Sequence, residues 1–177
     1  MKKYEFTGET KEIRLLFRTA TLHRIRATVA FGIVEVGDLG GWIEKEENLS
    51  HEGKAWVWGN AEVWGNAEVC GDAKVWGNAK VCGDAKVCGD AEVFSASHVL
   101  VIGAIGSRND FTTFYRDKDN EITVKCGCFL GKIDRFLEKV TQTHGDSKYA
   151  LVYRAAVEVA KLQIDLSGEA PKDADEE

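Results

Sequence analysis

Through the middle of the chain the apolar positions recur every six residues. Val57, Val63, Val69, Val75, Val81, Val87, Val93 and Val99 share one phase, and Gly53, Gly59, Gly65, Gly71, Gly77, Gly83 and Gly89 share another. The unit reads Gly-(Asn/Asp)-Ala-(Glu/Lys)-Val-(Trp/Cys). Ala and Val lie two apart and share one face of an extended segment, whereas Glu/Lys and Trp/Cys face the other way. Ala and Val are therefore expected inside. The Gly-Asn or Gly-Asp pair suits a corner, because Gly accepts positive φ and Asn and Asp tolerate it. Three short strands with three corners make one coil of a parallel prism, so residues three hexads apart should stack. Glu62 on Lys80, Glu68 on Lys86 and Lys74 on Glu92 are then pairs of opposite charge, as facing side chains prefer. A two-hexad offset would instead put Lys74 on Lys86, so the three-hexad register is favoured. The same register stacks Trp58, Trp76 and Phe94 in an outward column, which is expected to be covered by the terminal segments or by other subunits.

The flanks follow other periods. Tyr4 to Phe6, Thr21 to Phe31 and the stretch Gly37 to Ile43 read as strands that cap the first coil, because a bare end would expose unpaired backbone. After Phe94 the hexad decays. Val99 to Ile105, Phe111 to Arg116 and Glu121 to Phe129 read as strands closing the other end, the last two joined by Asp117 to Asn120. Ile133, Phe136, Leu137 and Val140 then follow helical spacing up to Gly145, and a second helix from about Ser147 carries Tyr149, Val152, Tyr153, Ala156 and Ala160.

The chain has 177 residues, 44% hydrophobic and 29% charged, with a net charge of -6. From Gly168 onward five acids, Glu169, Asp173, Asp175, Glu176 and Glu177, stand against Lys172, so most of that charge belongs to the tail. The remainder is near neutral and offers no basic field for a phosphate backbone, which argues against general nucleic-acid binding. No apolar stretch has the length of a signal peptide or membrane span, so no membrane association and a cytoplasmic location are expected. Cys70, Cys82 and Cys88 occupy one repeat position. With Cys126 and Cys128 they make an odd set, read as reduced thiols. The single residue between Cys126 and Cys128 is tighter than a zinc knuckle allows, so neither a metal nor a cofactor is expected.

The most chemically loaded stretch runs from Ile105 to Arg116. Ser107, Arg108, Asn109, Thr112 and Arg116 are candidates for holding a phosphate or carboxylate, with Arg108 foremost, and Trp58 and Trp76 are candidates for stacking on a ligand ring. No catalytic residue is assigned. His51, His98 and His144 are the available bases, and none has an obvious partner for proton transfer.

The repeats resemble the hexapeptide-repeat superfamily, best known from left-handed β-helix acyltransferases that work as trimers. The flanks Thr21 to Ala27, Gly37 to Glu44, Ile105 to Asn109 and Cys126 to Phe129 look like hexapeptide-repeat proteins of phages and prophages. The resemblance implies a mainly β chain built on a short left-handed parallel β-helix. Residues 1–52 form a β-rich cap, 53–98 the β-helix, 99–166 a β-hairpin and two-helix (α+β) subdomain, and 167–177 a disordered acidic tail. It also implies a homo-oligomer, a trimer or a multiple of one. The function expected is non-enzymatic capture of a small anionic or nucleotide-like ligand, in its concrete form phage anti-defence by sequestration of a host nucleotide-derived immune signal. An acyltransferase-like enzyme and a structural assembly module are the alternatives, for the chain has only about seven hexads and no inserted substrate loop.

Overall fold

The structure, a computed structural model, describes residues 2–169. It is mainly β, with several small sheets and two helices. The hexads form seven two-residue strands: β4 (Trp56–Val57), β5 (Glu62–Val63), β6 (Glu68–Val69), β7 (Lys74–Val75), β8 (Lys80–Val81), β9 (Lys86–Val87) and β10 (Glu92–Val93) follow β1 (Tyr4–Arg14), β2 (Thr19–Ala27) and β3 (Leu39–Ile43). Every pairing among the seven is parallel. β4 pairs β7 and β7 pairs β10, β5 pairs β8, and β6 pairs β9, so the chain revisits a ladder after three hexads. The expected opposite pairs Glu62 and Lys80, Glu68 and Lys86, and Lys74 and Glu92 face one another. Lys74 and Glu92 close an ion pair at 3.3 Å, whereas Glu62 is taken by Lys11 at 2.7 Å. Each Ala and Val of these strands is buried, from Ala55 and Val57 to Ala91 and Val93. That column is the core.

Both ends of the stack are closed by backbone-satisfying groups. At the first end β3 pairs β5 in parallel, and the buried Asn48 amide donates to the carbonyls of Gly65 and Ala67. The buried Lys3 ammonium donates to the Ala55 carbonyl at 2.7 Å. Above them β1 and β2 make a hairpin longer than the sequence predicted, since β1 extends through Arg14, with an irregularity between Phe6 and Thr10 that includes Gly8 at φ 95°. Trp56, at an outward repeat position, is sealed there between Tyr4 and Phe31.

At the other end β11 (Val99–Ile105), β12 (Asp110–Arg116), β13 (Ile122–Cys126) and β14 (Phe129–Lys132) form an antiparallel sheet. The sequence predicted one strand from Glu121 to Phe129; instead the chain reverses at Gly127, φ 55°, and the intended single strand becomes the β13–β14 hairpin. β12 crosses the free edge of β9, where Lys86 N–H donates to Thr113 Oγ1 and the Tyr115 hydroxyl both accepts from Cys88 N–H and donates to Cys88 C=O. Helices α1 (Ile133–His144) and α2 (Lys148–Gln163) cover the sheet through Phe114, Val124, Phe136, Tyr153 and Val157.

One expectation changes. Cys70 and Cys88 are joined as a disulfide, because stacking on adjacent strands brings their Cα atoms to 4.6 Å, so these two are not free thiols. Cys82, Cys126 and Cys128 are unbonded. Of the expected acidic tail, residues 170–177 lie outside the described residues; within its described start Gly168 accepts a hydrogen bond from Arg116 at 2.9 Å. Among the described residues no helix is long and apolar enough to cross a membrane.

Candidate functional site

The edge-on placement of β12 against the stack leaves a cleft of about 360 Å³ between the β6–β9 ladder and the β12–β13 hairpin. Asn66 and Glu68 come from one coil, Asp84 and Lys86 from the next, and Asp110, Phe111, Thr113, Lys125 and Gly127 from the facing sheet. Strand alternation selects them: Phe111 and Thr113 point into the cleft, while Thr112 and Phe114 point to the helices. The volume lies in the range of small-ligand pockets. Phe111 is 39% exposed. The Lys125 ammonium donates to the Gly127 carbonyl at 2.8 Å, and the Asn66 amide donates to Asp84 at 3.1 Å. Three carboxylates stand beside two ammonium groups, so the cleft as a whole does not favour a polyanion. An apolar ring, two cations and several acceptors suit a flat, lightly charged molecule bearing hydroxyl or amino donors.

The sequence candidates divide around this cleft. Ser107, Arg108 and Asn109 form the exposed β11–β12 turn, with Asn109 at φ 50°. The turn is seated on α2, because Gly106 lies so close over the Tyr153 hydroxyl that a Cβ there would overlap it. The pKa of that hydroxyl is pushed up to about 12, by burial first and by the neighbouring Cys126 second. The Arg108 guanidinium lies against Gly127, with Nη1 3.1 Å from where a Cβ would stand, which puts it at the rim of the cleft. Thr112 is buried on the opposite side of β12 and donates to Cys126 Sγ at 3.3 Å. Arg116 is buried at the far end of β12, about 20 Å from Asp110 by strand rise, and stacks on Phe94 at 4.5 Å. Its head bonds Asn120 and the Gly168 carbonyl. Arg108 and Arg116 therefore do not grip one small ligand together.

Trp58 and Trp76 sit in their column, 5.5 Å apart and edge-on, and Trp76 stacks on Phe94 at 6.2 Å. Trp58 also packs against Trp56 and is nearly buried. It lines a second, smaller cleft of about 230 Å³ with Phe31, Lys54, Asp72, Lys74, Asp90, Glu92 and Lys118. There four of the charges are paired, Lys74 with Glu92 and Lys118 with Asp90 at 2.8 Å, and Asp72 accepts from the backbone N–H of Lys54. Asp117, Asp119 and Glu121 converge within 4.8 Å, but Lys132 reaches all three at 2.6, 3.3 and 2.7 Å and stands where a cation would.

Phe111, Lys125 and the repeat residues Asn66, Glu68, Asp84 and Lys86 were not singled out from the sequence as a site. The only signal for them was an aromatic at the start of a strand. The repeat residues are indistinguishable from their equivalents on the other ladders until β12 is laid across one face. A scan against protein-family models and a search of curated proteins both find no match to this chain.

Proposed function

We propose that this protein is a non-enzymatic binder of a small nucleotide-like ligand held in the cleft between the β6–β9 ladder and β12. The observation that carries the reading is the half-exposed Phe111 ring flanked by Lys86 and Lys125, with Asp84, Asp110 and Glu68 as acceptors for hydroxyl or amino groups. The base would stack on Phe111, and Lys125, with Arg108 at the rim, would meet a single phosphate or carboxylate. The coil that supplies one wall is, on this reading, a left-handed parallel β-helix, and the protein acts as a homo-oligomer in the cytoplasm. The resemblance to phage proteins extends the proposal to sequestration of a host nucleotide-derived immune signal.

Placement of the histidines supports binding over catalysis. His23 stacks on Phe6, His51 on Tyr4, His98 is buried beside Phe94, and His144 packs on Tyr153. None of the four lines the cleft. Native mass spectrometry and calorimetry with AMP, cyclic AMP, cyclic dinucleotides and NAD test the reading. Binding of at least one, with its mass released intact, is expected, and Phe111→Ala should weaken it ~10-fold or more, the scale of one base–aromatic stack. Absence of binding by every probe at millimolar concentration, together with no retained mass after incubation with lysate of phage-infected cells, would sink it.

A further inference from the structure

Helix α2 is apolar on two faces. Ala150, Tyr153, Ala156, Val157 and Ala160 bury one face against the sheet and α1. Opposite them Val152, Ala155, Val159 and Leu162 are spaced three, four and three apart, which is the a/d pattern of a helix–helix seam. All four are exposed, Leu162 at 90%, and Leu151 widens the stripe. A helix that is apolar around most of its circumference belongs in the interior of an assembly. The charged residues Arg154, Glu158 and Lys161 stand to one side of the stripe.

We infer that α2 is a dimer interface, packing antiparallel against α2 of a second copy about a two-fold axis near its centre. The spacing is self-complementary, as a two-fold interface requires. With Ala155 opposite Val159 of the other copy, Val152 falls opposite Leu162, each contact occurring twice. The small Ala155 at the centre lets the backbones approach. Charge agrees at the ends, where Lys148 in the first turn of one α2 meets the C-terminal end of the other, whose free carbonyls form the negative pole of that helix. Near the axis the two Glu158 side chains approach each other, and Lys161, 2.9 Å from Glu158 in its own chain, balances each. A 16-residue helix is about 24 Å long. One such seam is smaller than a standard stable interface, so the dimer dissociates on dilution.

Sedimentation equilibrium of the full chain across micromolar to submillimolar concentrations tests this, with circular dichroism as the check on folding. Wild type is expected to shift from one chain to two with concentration. Leu162→Glu and Val152→Lys should each remain a monomer, at least ~10-fold weaker in association. Mixed in equal amounts they should dimerise again, because the introduced carboxylate of one chain then meets the introduced ammonium of the other while the second Val152–Leu162 contact is intact. A wild-type monomer at every concentration, an oligomer unchanged by Leu162→Glu, or a mixture that stays monomeric would each overturn the interface or its register.

Discussion

At the scale of single residues, two positions turn local geometry into measurable stability. His98 is buried, its Nδ1 accepts Phe94 N–H at 3.3 Å, and burial followed by the charge of Arg116 holds its pKa below the ordinary 6.5, against the smaller opposing pull of Asp165. A base with a depressed folded pKa is protonated first in the unfolded chain. Its stabilisation is therefore present above pH 6.5 and is lost as the pH falls from 6.5 through the lower folded value. His51, lowered chiefly by burial, adds to the same window. Urea midpoints should drop between about pH 7.5 and 5.5, and His98→Gln should flatten that drop even while lowering overall stability. The corner glycines give a matched pair. Gly71 and Gly83 share a repeat position and φ near +70°, but a Cβ on Gly71 would stand 2.7 Å from Gly89 N, whereas one on Gly83 meets nothing within 4 Å. Gly83→Ala should cost about 1–2 kcal/mol, the strain of a left-handed alanine, and Gly71→Ala clearly more, by equilibrium denaturation.

At the scale of elements, the coil depends on what its end strands offer to closing groups. Tyr115 satisfies both backbone groups of Cys88 with one hydroxyl, in a fully buried position. Tyr115→Phe leaves a buried donor and a buried acceptor unpaired and should cost about 2–4 kcal/mol, read from the denaturation midpoint. Val75→Asp places a charge at the centre of the core column and should abolish the cooperative transition and the native circular dichroism. The strands of the coil were legible because the repeat states inside and outside seven times over, and opposite charges at a three-hexad offset set the register. The closing strands were less legible. The outer part of β1, Thr7 to Arg14, is polar and charged with an irregular bend, so it carries no alternation to read, and Gly127 was a single glycine inside an otherwise strand-like run. The rings of the Trp column were correctly stacked from sequence, yet their covering draws on distant segments: Arg116 lies over Phe94, and Trp56, beside Trp58, is itself sealed by Tyr4 and Phe31.

At the scale of the whole molecule, the cleft escaped the sequence for the same reason: its walls join residues 66–68, 84–86, 110–113 and 125–127, and only the crossing of β12 over β9 makes them neighbours. The Cys70–Cys88 disulfide closes a loop with a sequence separation of 18 on the β6–β9 ladder, which carries one wall of that cleft. Loop-closure entropy for a link of that size is worth about 3 kcal/mol. Cys70→Ser with Cys88→Ser should lower the melting temperature by several degrees, and added reductant should lower that of wild type but leave the double variant unchanged. The return of the chain to each ladder after three hexads also governs how such a protein can lengthen. β3 pairs on the β5–β8 side of the prism and β12 crosses the β6–β9 side, so their relative orientation is set by the count of hexads between them. An insertion of one hexad would swing the C-terminal sheet a third of a turn around the axis and pull the cleft walls out of alignment. An insertion of three preserves every facing pair and moves the sheet along the axis by about 4.8 Å. Growth or loss in this lineage is therefore quantised: whole coils can be duplicated or deleted without redesign, and single hexads cannot.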